Sequence, residues 1–165
     1  MKVRQVMSQH VFTATPDTTI RELWRSLFKK HMNSIPVVDV KKKLIGIIAK
    51  EDLLEALFPN YQEYFEDITS FEDFEQMESK VRELGNTKAR DVMRTRVVFT
   101  RADSPVMRAL SRMIARRLSQ MPVLSEKDEV VGLVTKGDIF YALFRKNLGG
   151  ISKTTSHPSY HGRTL

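Results

Sequence analysis

The chain has 165 residues, enough for one compact domain or for two small units sharing a core. It is 41% hydrophobic, which excludes a chain too polar to fold, and it lacks cysteine, which excludes disulfides, thiolate catalysis and cysteine-ligated zinc. The net charge is +7, yet residues 59–87 hold eight acids against two bases, so the remainder is strongly basic and suits phosphate-bearing partners.

The N-terminus, MKVRQVMSQHVFT, has no apolar run of signal-peptide length, and the longest apolar segments are strand-sized. A cytoplasmic protein is expected. Val11, Phe12 and Thr13 read as a short strand. Thr19 and Glu22 have capping-box spacing and open a helix whose stripe is Ile20, Leu23, Trp24, Leu27 and Phe28. Ile35 to Val38 and Leu44 to Ile48, split by a charged turn, read as a strand pair. A short helix follows, with Leu53, Leu54 and Leu57 on its apolar side. In the acidic segment Tyr61, Tyr64, Phe65, Ile68, Phe71, Phe74, Met77, Val81 and Leu84 recur at roughly helical spacing, which predicts one or two amphipathic helices. That stripe packs either on its own chain or against another protomer.

The order then repeats. Val97, Val98 and Phe99 form a strand. Ser104 is a candidate N-cap with Pro105 at the first helical position, and the stripe is Val106, Ala109, Leu110, Met113 and Ile114. Shifted by 86 positions, residues 2–58 lie on residues 88–144 without a gap, and 15 of the 57 pairs are identical, among them Pro36/Pro122, Gly46/Gly132 and Asp52/Asp138. Two copies are too few for a solenoid and predict a pseudo-twofold pair in which each unit covers the other's apolar face. The divisions are 1–58, 59–87, 88–144 and a basic tail, 145–165, expected to be disordered.

The closing turns differ. VVGLVTKGDIF, from Val130, has Thr135 and Asp138; LIGIIAKEDLL, from Leu44, has Ala49 and Asp52. Thr and Asp three apart form a helix-capping pair. The same geometry, at a helix N-terminus with a glycine upstream, suits an anionic or polyhydroxyl ligand. Both readings stand on the residues alone.

The strand-helix-strand-strand-helix order, with proline before the second strand and Gly-x-x-Thr-x-x-Asp after the third, resembles the CBS domain. Two in tandem resemble a Bateman module, an α/β (α+β) fold. The resemblance implies two quasi-equivalent clefts for an adenosyl ligand: AMP, ADP or ATP first, S-adenosylmethionine or a cyclic dinucleotide next. It implies that the Asp holds ribose and the Thr contacts ribose or α-phosphate. One cleft would use Ser8, Val11, Phe12, Thr13, Asn33, Ser34, Ile35, Pro36, Leu133, Thr135 and Asp138. A weaker one, lacking the threonine, would use Ile47, Asp52, Val97, Val98, Phe99, Ser119, Gln120, Met121 and Pro122. Arg101, Arg117 and Lys136 are candidate phosphate partners.

No cofactor, metal or catalytic group is expected. The four histidines make no metal set, and neither a nucleophile elbow nor a Walker loop is present. The resemblance implies a non-catalytic regulator that signals by shifting the packing between units, with a homodimer as the assembly, an unidentified client protein and no membrane. The alternative is a ligand-free scaffold contacting protein or nucleic acid through its basic surface. Arg108, Arg112 and Arg116, four apart along one helix, favour that alternative, although no recognisable nucleic-acid-binding motif accompanies them.

Overall fold

A computed structural model of the chain describes residues 1–29, 31–57 and 71–148, with the side chains of 57 and 71–77 outside the description. After a 3₁₀ turn at Val3–Gln5 come α1 (Ile20–Lys29), β1 (Ser34–Val38), β2 (Leu44–Ala49), α2 (Lys50–Leu57) and α3 (Phe71–Asn86). The second unit runs through α4 (Ala89–Val92), β3 (Thr100–Arg101), α5 (Val106–Ala115), β4 (Gln120–Leu124), β5 (Val130–Thr135) and α6 (Lys136–Leu148). Each unit centres on an antiparallel hairpin, β1–β2 or β4–β5, and β3 joins β4 in parallel. The hairpin turns place Lys42 and Asp128 at φ 61° and 65°. Both are exposed turn residues, where a non-glycine φ above zero is uncommon.

The helix signals translate closely. Glu22 Oε2 accepts from the Thr19 amide at 2.9 Å, and the Glu22 amide donates to Thr19 Oγ1 at 3.4 Å, so the capping box starts α1 as its spacing predicts. Elsewhere the structure corrects the sequence reading. Residues 11–13 and 97–99 lie outside any strand; the parallel pairing begins one residue later in each copy, at Ala14 with Val37 and at Thr100 with Val123. Apolar content there corresponds to no ladder pairing, and none of these residues is fully buried. Pro105, not Ser104, is the N-cap of α5, since its ψ of 135° keeps it outside the helix. Residues 145–148, assigned to the tail, continue α6.

The helical stripes are also wider than the faces they bury. Leu23 and Leu27 are fully buried, but Trp24, Phe28, Leu54 and Ile114 are exposed. In the acidic segment α3 confirms the helical period over its length, and Leu84 packs on the first unit's core. Val81 stays exposed. The remaining stripe positions, Leu57 and the tail beyond residue 148 lie outside the described residues or their described side chains.

Two apolar cores form, and each takes a residue from the start of the other copy. Val3 is fully buried among Val106, Ala109, Met113, Met121, Val134 and Ile139 of the second unit. Ala89 is fully buried among Ile20, Leu23, Leu27, Ile35, Ile48 and Leu53 of the first. Main-chain bonds fasten both crossings: Val3 N–H to Ser104 O and Arg4 N–H to Ala102 O, both at 2.9 Å, match Ala89 N–H to Thr18 O at 2.8 Å and Arg90 N–H to Pro16 O at 3.1 Å. Lys2 and Arg4 pair with Asp103, as Lys88 and Arg90 pair with Asp17. Those pairs are exposed, so the buried residues carry more of the energy.

The pseudo-axis passes between the hairpins. Leu44 N–H donates to Asp128 O, and Val130 N–H to Lys42 O. Gln120 Nε2 donates to Ser34 O at 2.9 Å and to Ser34 Oγ at 2.6 Å, with both residues buried. This bond satisfies polar groups that would otherwise be stranded between the units.

Val3 therefore acts as a core residue of the second unit. Val3→Ala is expected to lower stability by about 2 kcal/mol. Denaturant unfolding should show a reduced midpoint with an unchanged slope, while Val40→Ala, at a fully exposed position, should leave the midpoint in place.

Candidate functional site

The two helix starts that follow the hairpins each place an aspartate close to the crossing segment of the other unit. At the second, β5 ends at Thr135 and α6 begins at Lys136. The Thr135 amide donates to Asp138 Oδ2 at 2.9 Å, and Thr135 Oγ1 donates to the same oxygen at 2.8 Å. The Asp138 amide donates back to Thr135 Oγ1 at 3.0 Å. This reciprocal set fixes the carboxylate at the positive end of a 13-residue helix. Thr135, Lys136 and Asp138 are half-buried, so the turn faces solvent while its backbone is held. The other oxygen of Asp138, Oδ1, takes no part in the cap.

The first helix start is a partial copy. The Ala49 amide donates to Asp52 Oδ2 at 2.7 Å, so the backbone half of the cap survives without the hydroxyl. Asp52 is far less accessible, its side chain 3% exposed. Its Oδ1 meets the Arg94 guanidinium as an ion pair, and Arg94 Nη2 also reaches Glu55 at 3.3 Å. Burial pushes the Asp52 carboxyl above the ordinary carboxylate value; the Ala49 amide and the Arg94 charge oppose that shift, and Glu55 adds to it.

Each turn sits beside the crossing segment of the other unit. Ser8 pairs antiparallel with Leu133 through two 2.9 Å bonds, and Arg94 pairs the same way with Ile47 at 3.0 and 2.9 Å. Glycine permits the approach: a Cβ on Gly132 would stand 2.5 Å from Met7 Sδ and 3.1 Å from Ser8 O. Met93 fills the equivalent space over Gly46. The repeated glycine thus admits a methionine and a main chain from the partner unit.

The other sequence-selected residues distribute as follows. Val11 and Thr13 are half-buried and Phe12 is exposed; the Val11 amide turns back to Gln9 O. Ile35 and Met121 are fully buried in the two cores, with Pro36 and Pro122 buried beside them. Asn33 O accepts from Lys50 N–H, which ties Asn33 to the Asp52 turn, and Ser119 O accepts from Lys136 N–H, which ties Ser119 to the Thr135 turn. Ser34 and Gln120 bridge the units. Val97, Val98 and Phe99 are half-buried, and Phe99 O accepts from Arg112 Nη1 at 3.1 Å. Arg101 is committed elsewhere: its guanidinium donates to Ser125 O and to Asp128 Oδ1 and lies 5.5 Å from the Phe99 ring centroid. Arg117 is exposed, with φ 53° just past the end of α5. No group of three or more metal-ligating side chains occurs among the described residues. No helix among them is long and apolar enough to cross a membrane.

Arg94 is the residue that sequence reasoning passed over. The signal was available, since the ungapped repeat places Arg94 opposite Ser8, which the resemblance assigns to the other cleft.

The family model described as the CBS domain matches residues 3–59 and 89–145. A CBS domain-containing protein of Dictyostelium discoideum is 29% identical over 143 residues, covering 87% of this chain and 91% of its own length. Among solved structures, CBSX2 of Arabidopsis thaliana in complex with AMP aligns with a TM-score of 0.67 at 20% identity, over 88% of this chain and 97% of that one. The CBS domain pair of protein MJ0100, in complex with 5′-methylthioadenosine and S-adenosyl-L-methionine, aligns with a TM-score of 0.66 at 26% identity, over 87% of this chain and 99% of that one.

The raised Asp52 carboxyl makes a pH prediction. Its folded-state pKa lies above the unfolded one, so its contribution to stability is fully present below about pH 4 and is lost as pH rises through the raised value. Asp52→Asn keeps an acceptor for the Ala49 amide and removes the titration. The stability of the wild type relative to Asp52→Asn should therefore fall as pH rises from 4 toward neutrality, measured by urea midpoints at fixed ionic strength. A difference independent of pH would contradict an incompletely compensated buried charge.

Proposed function

Because the chain belongs to the CBS domain family, carrying two copies in tandem, we propose that it is a regulatory module that binds an adenosyl ligand at the Thr135/Asp138 turn. The observation that carries this reading is the divided use of the Asp138 carboxylate. Oδ2 is spent on the helix cap, and Oδ1 is left to accept from a ribose diol. Thr135 Oγ1 sits 2.8 Å from the same carboxylate and can turn to a ribose or phosphate oxygen. The first turn of α6 presents a positive dipole end.

The complexes of CBSX2 with AMP and of MJ0100 with 5′-methylthioadenosine and S-adenosyl-L-methionine support this ligand class. AMP, ADP and ATP are the first ligands to test, with S-adenosylmethionine and cyclic dinucleotides after them. Lys136 and Arg117 remain the phosphate candidates, since Arg101 already neutralises Asp128. The Thr13 main chain, near the crossing segment, is the candidate group for the base.

Signalling follows from where the turn lies. Ser8 of the first unit is paired with Leu133 of the second, two residues before Thr135. A ligand held by Asp138 and by the first unit therefore favours one inter-unit packing, and it shifts the population by its difference in affinity for the available packings. The module is non-catalytic and homodimeric in this reading, and a client protein reads its state.

Calorimetry against AMP, ADP, ATP and S-adenosylmethionine tests it. One ligand per chain is expected, lost in Asp138→Ala and retained in Asp52→Ala. Thr135→Ala should cost about 1 kcal/mol of stability as a lost cap and weaken binding roughly tenfold as a lost hydrogen bond. No heat with any ligand, together with salt-dependent binding of nucleic acid that survives Asp138→Ala, would replace this reading with a basic interaction scaffold using Arg108, Arg112 and Arg116.

A further inference from the structure

We propose that Arg94 determines how many adenosyl ligands the chain accepts, by occupying the ribose-binding face of Asp52 and closing the first unit's turn. The inference deepens the adenosyl reading and rests on it for the identity of the ligand.

The two turns are related by the 86-residue repeat, and so are the residues that cross beside them. Ser8 pairs with Leu133 and Arg94 with Ile47 in the same antiparallel register. The two side chains therefore enter equivalent positions. At the second turn the position of Arg94 is held by the short, uncharged side chain of Ser8, and Asp138 Oδ1 takes no part in the cap. Arg94 places its Nε on Asp52 Oδ1 and its Nη2 on both Glu55 oxygens, at 3.3 and 3.4 Å. With Oδ2 held by the Ala49 amide, Oδ1 is buried against the guanidinium as an ion pair, with no hydrogen-bond partner among the described residues.

A ribose entering this turn would have to expel the guanidinium from a carboxylate that is almost inaccessible to water. Expulsion would strip Asp52 and Glu55 of their shared cation, and Ala49 offers no hydroxyl in return. At the other turn Ser8 and Tyr141 stand at the repeat positions of Arg94 and Glu55, so neither the cation nor its second carboxylate is repeated there. The threonine-to-alanine difference is thus secondary. It leaves the backbone cap intact at 2.7 Å, whereas Arg94 occupies the oxygen a ligand needs.

Replacing Arg94 leaves its pairing with Ile47 in place, because that pairing is main chain only, and opens no void in a core, because its side chain is 56% exposed. The experiment is calorimetric stoichiometry with AMP and, separately, S-adenosylmethionine, on the wild type, Arg94→Ser, Arg94→Gln, Ala49→Thr and the double variant Asp138→Ala/Arg94→Ser. The second Arg94 variant keeps side-chain length and removes charge, should the shorter one fold poorly.

The expected stoichiometries are one for the wild type and Ala49→Thr, two for either Arg94 variant, and one for the double variant. Two ligands on the wild type would overturn the proposal, as would one ligand on both Arg94 variants or a second site opened by Ala49→Thr alone. A wild type that binds nothing while Arg94→Ser binds one ligand would keep the proposal and reject the Thr135/Asp138 reading. Absence of binding in all variants would reject both.

Discussion

The structure depends on one reciprocal exchange. Val3, at the start of the first copy, is buried in the second unit's core, and Ala89, at the start of the second, is buried in the first unit's core. Neither core is complete without the other unit, because each lacks one wall that the partner supplies. The exchange makes the pair a single body with a pseudo-twofold axis. It also carries the segments after Val3 and Ala89 past the partner's hairpin, so that Ser8 and Arg94 arrive beside helix starts they do not belong to.

The helix starts show how one set of bonds serves two ends. An aspartate three residues past the strand end is needed to receive the first amide of the turn. Using a single oxygen for that purpose leaves the other available. In the second unit the cap leaves it unused beside a hydroxyl; in the first it is paired with a guanidinium from across the interface. The contrast follows from burial as well as from sequence. A carboxylate as inaccessible as Asp52 demands a countercharge, whereas half-buried Asp138 can rely on water and on its cap.

Tight packing holds these turns where they are. Gly46 and Gly132 admit Met93 and Met7 from the opposite unit, and the Ser34–Gln120 bond settles the polar groups at the axis. Movement between the units therefore disturbs the Thr135/Asp138 turn, the methionine contacts and the axial hydrogen bond together. That coupling is what a regulatory binding module requires of its interface.

Much of this was legible in the amino-acid sequence alone. The ungapped repeat determined the twofold plan. Apolar periodicity placed α1, α5 and the hairpins, and Thr19 with Glu22 determined a helix start to the residue. These features are local, or they compare the chain with itself. Strand pairing at Ala14 and Thr100 rather than at 11–13 and 97–99, and the exposure of Trp24, Phe28, Leu54 and Ile114, were decided only in three dimensions. An apolar residue has no preference among the surfaces that might cover it until they are in place. The partner of Asp52 was likewise a tertiary decision. Arg94 lies 42 positions further along the chain, and only the crossing of the N-terminal segments brings that charge to a carboxylate buried in the other unit.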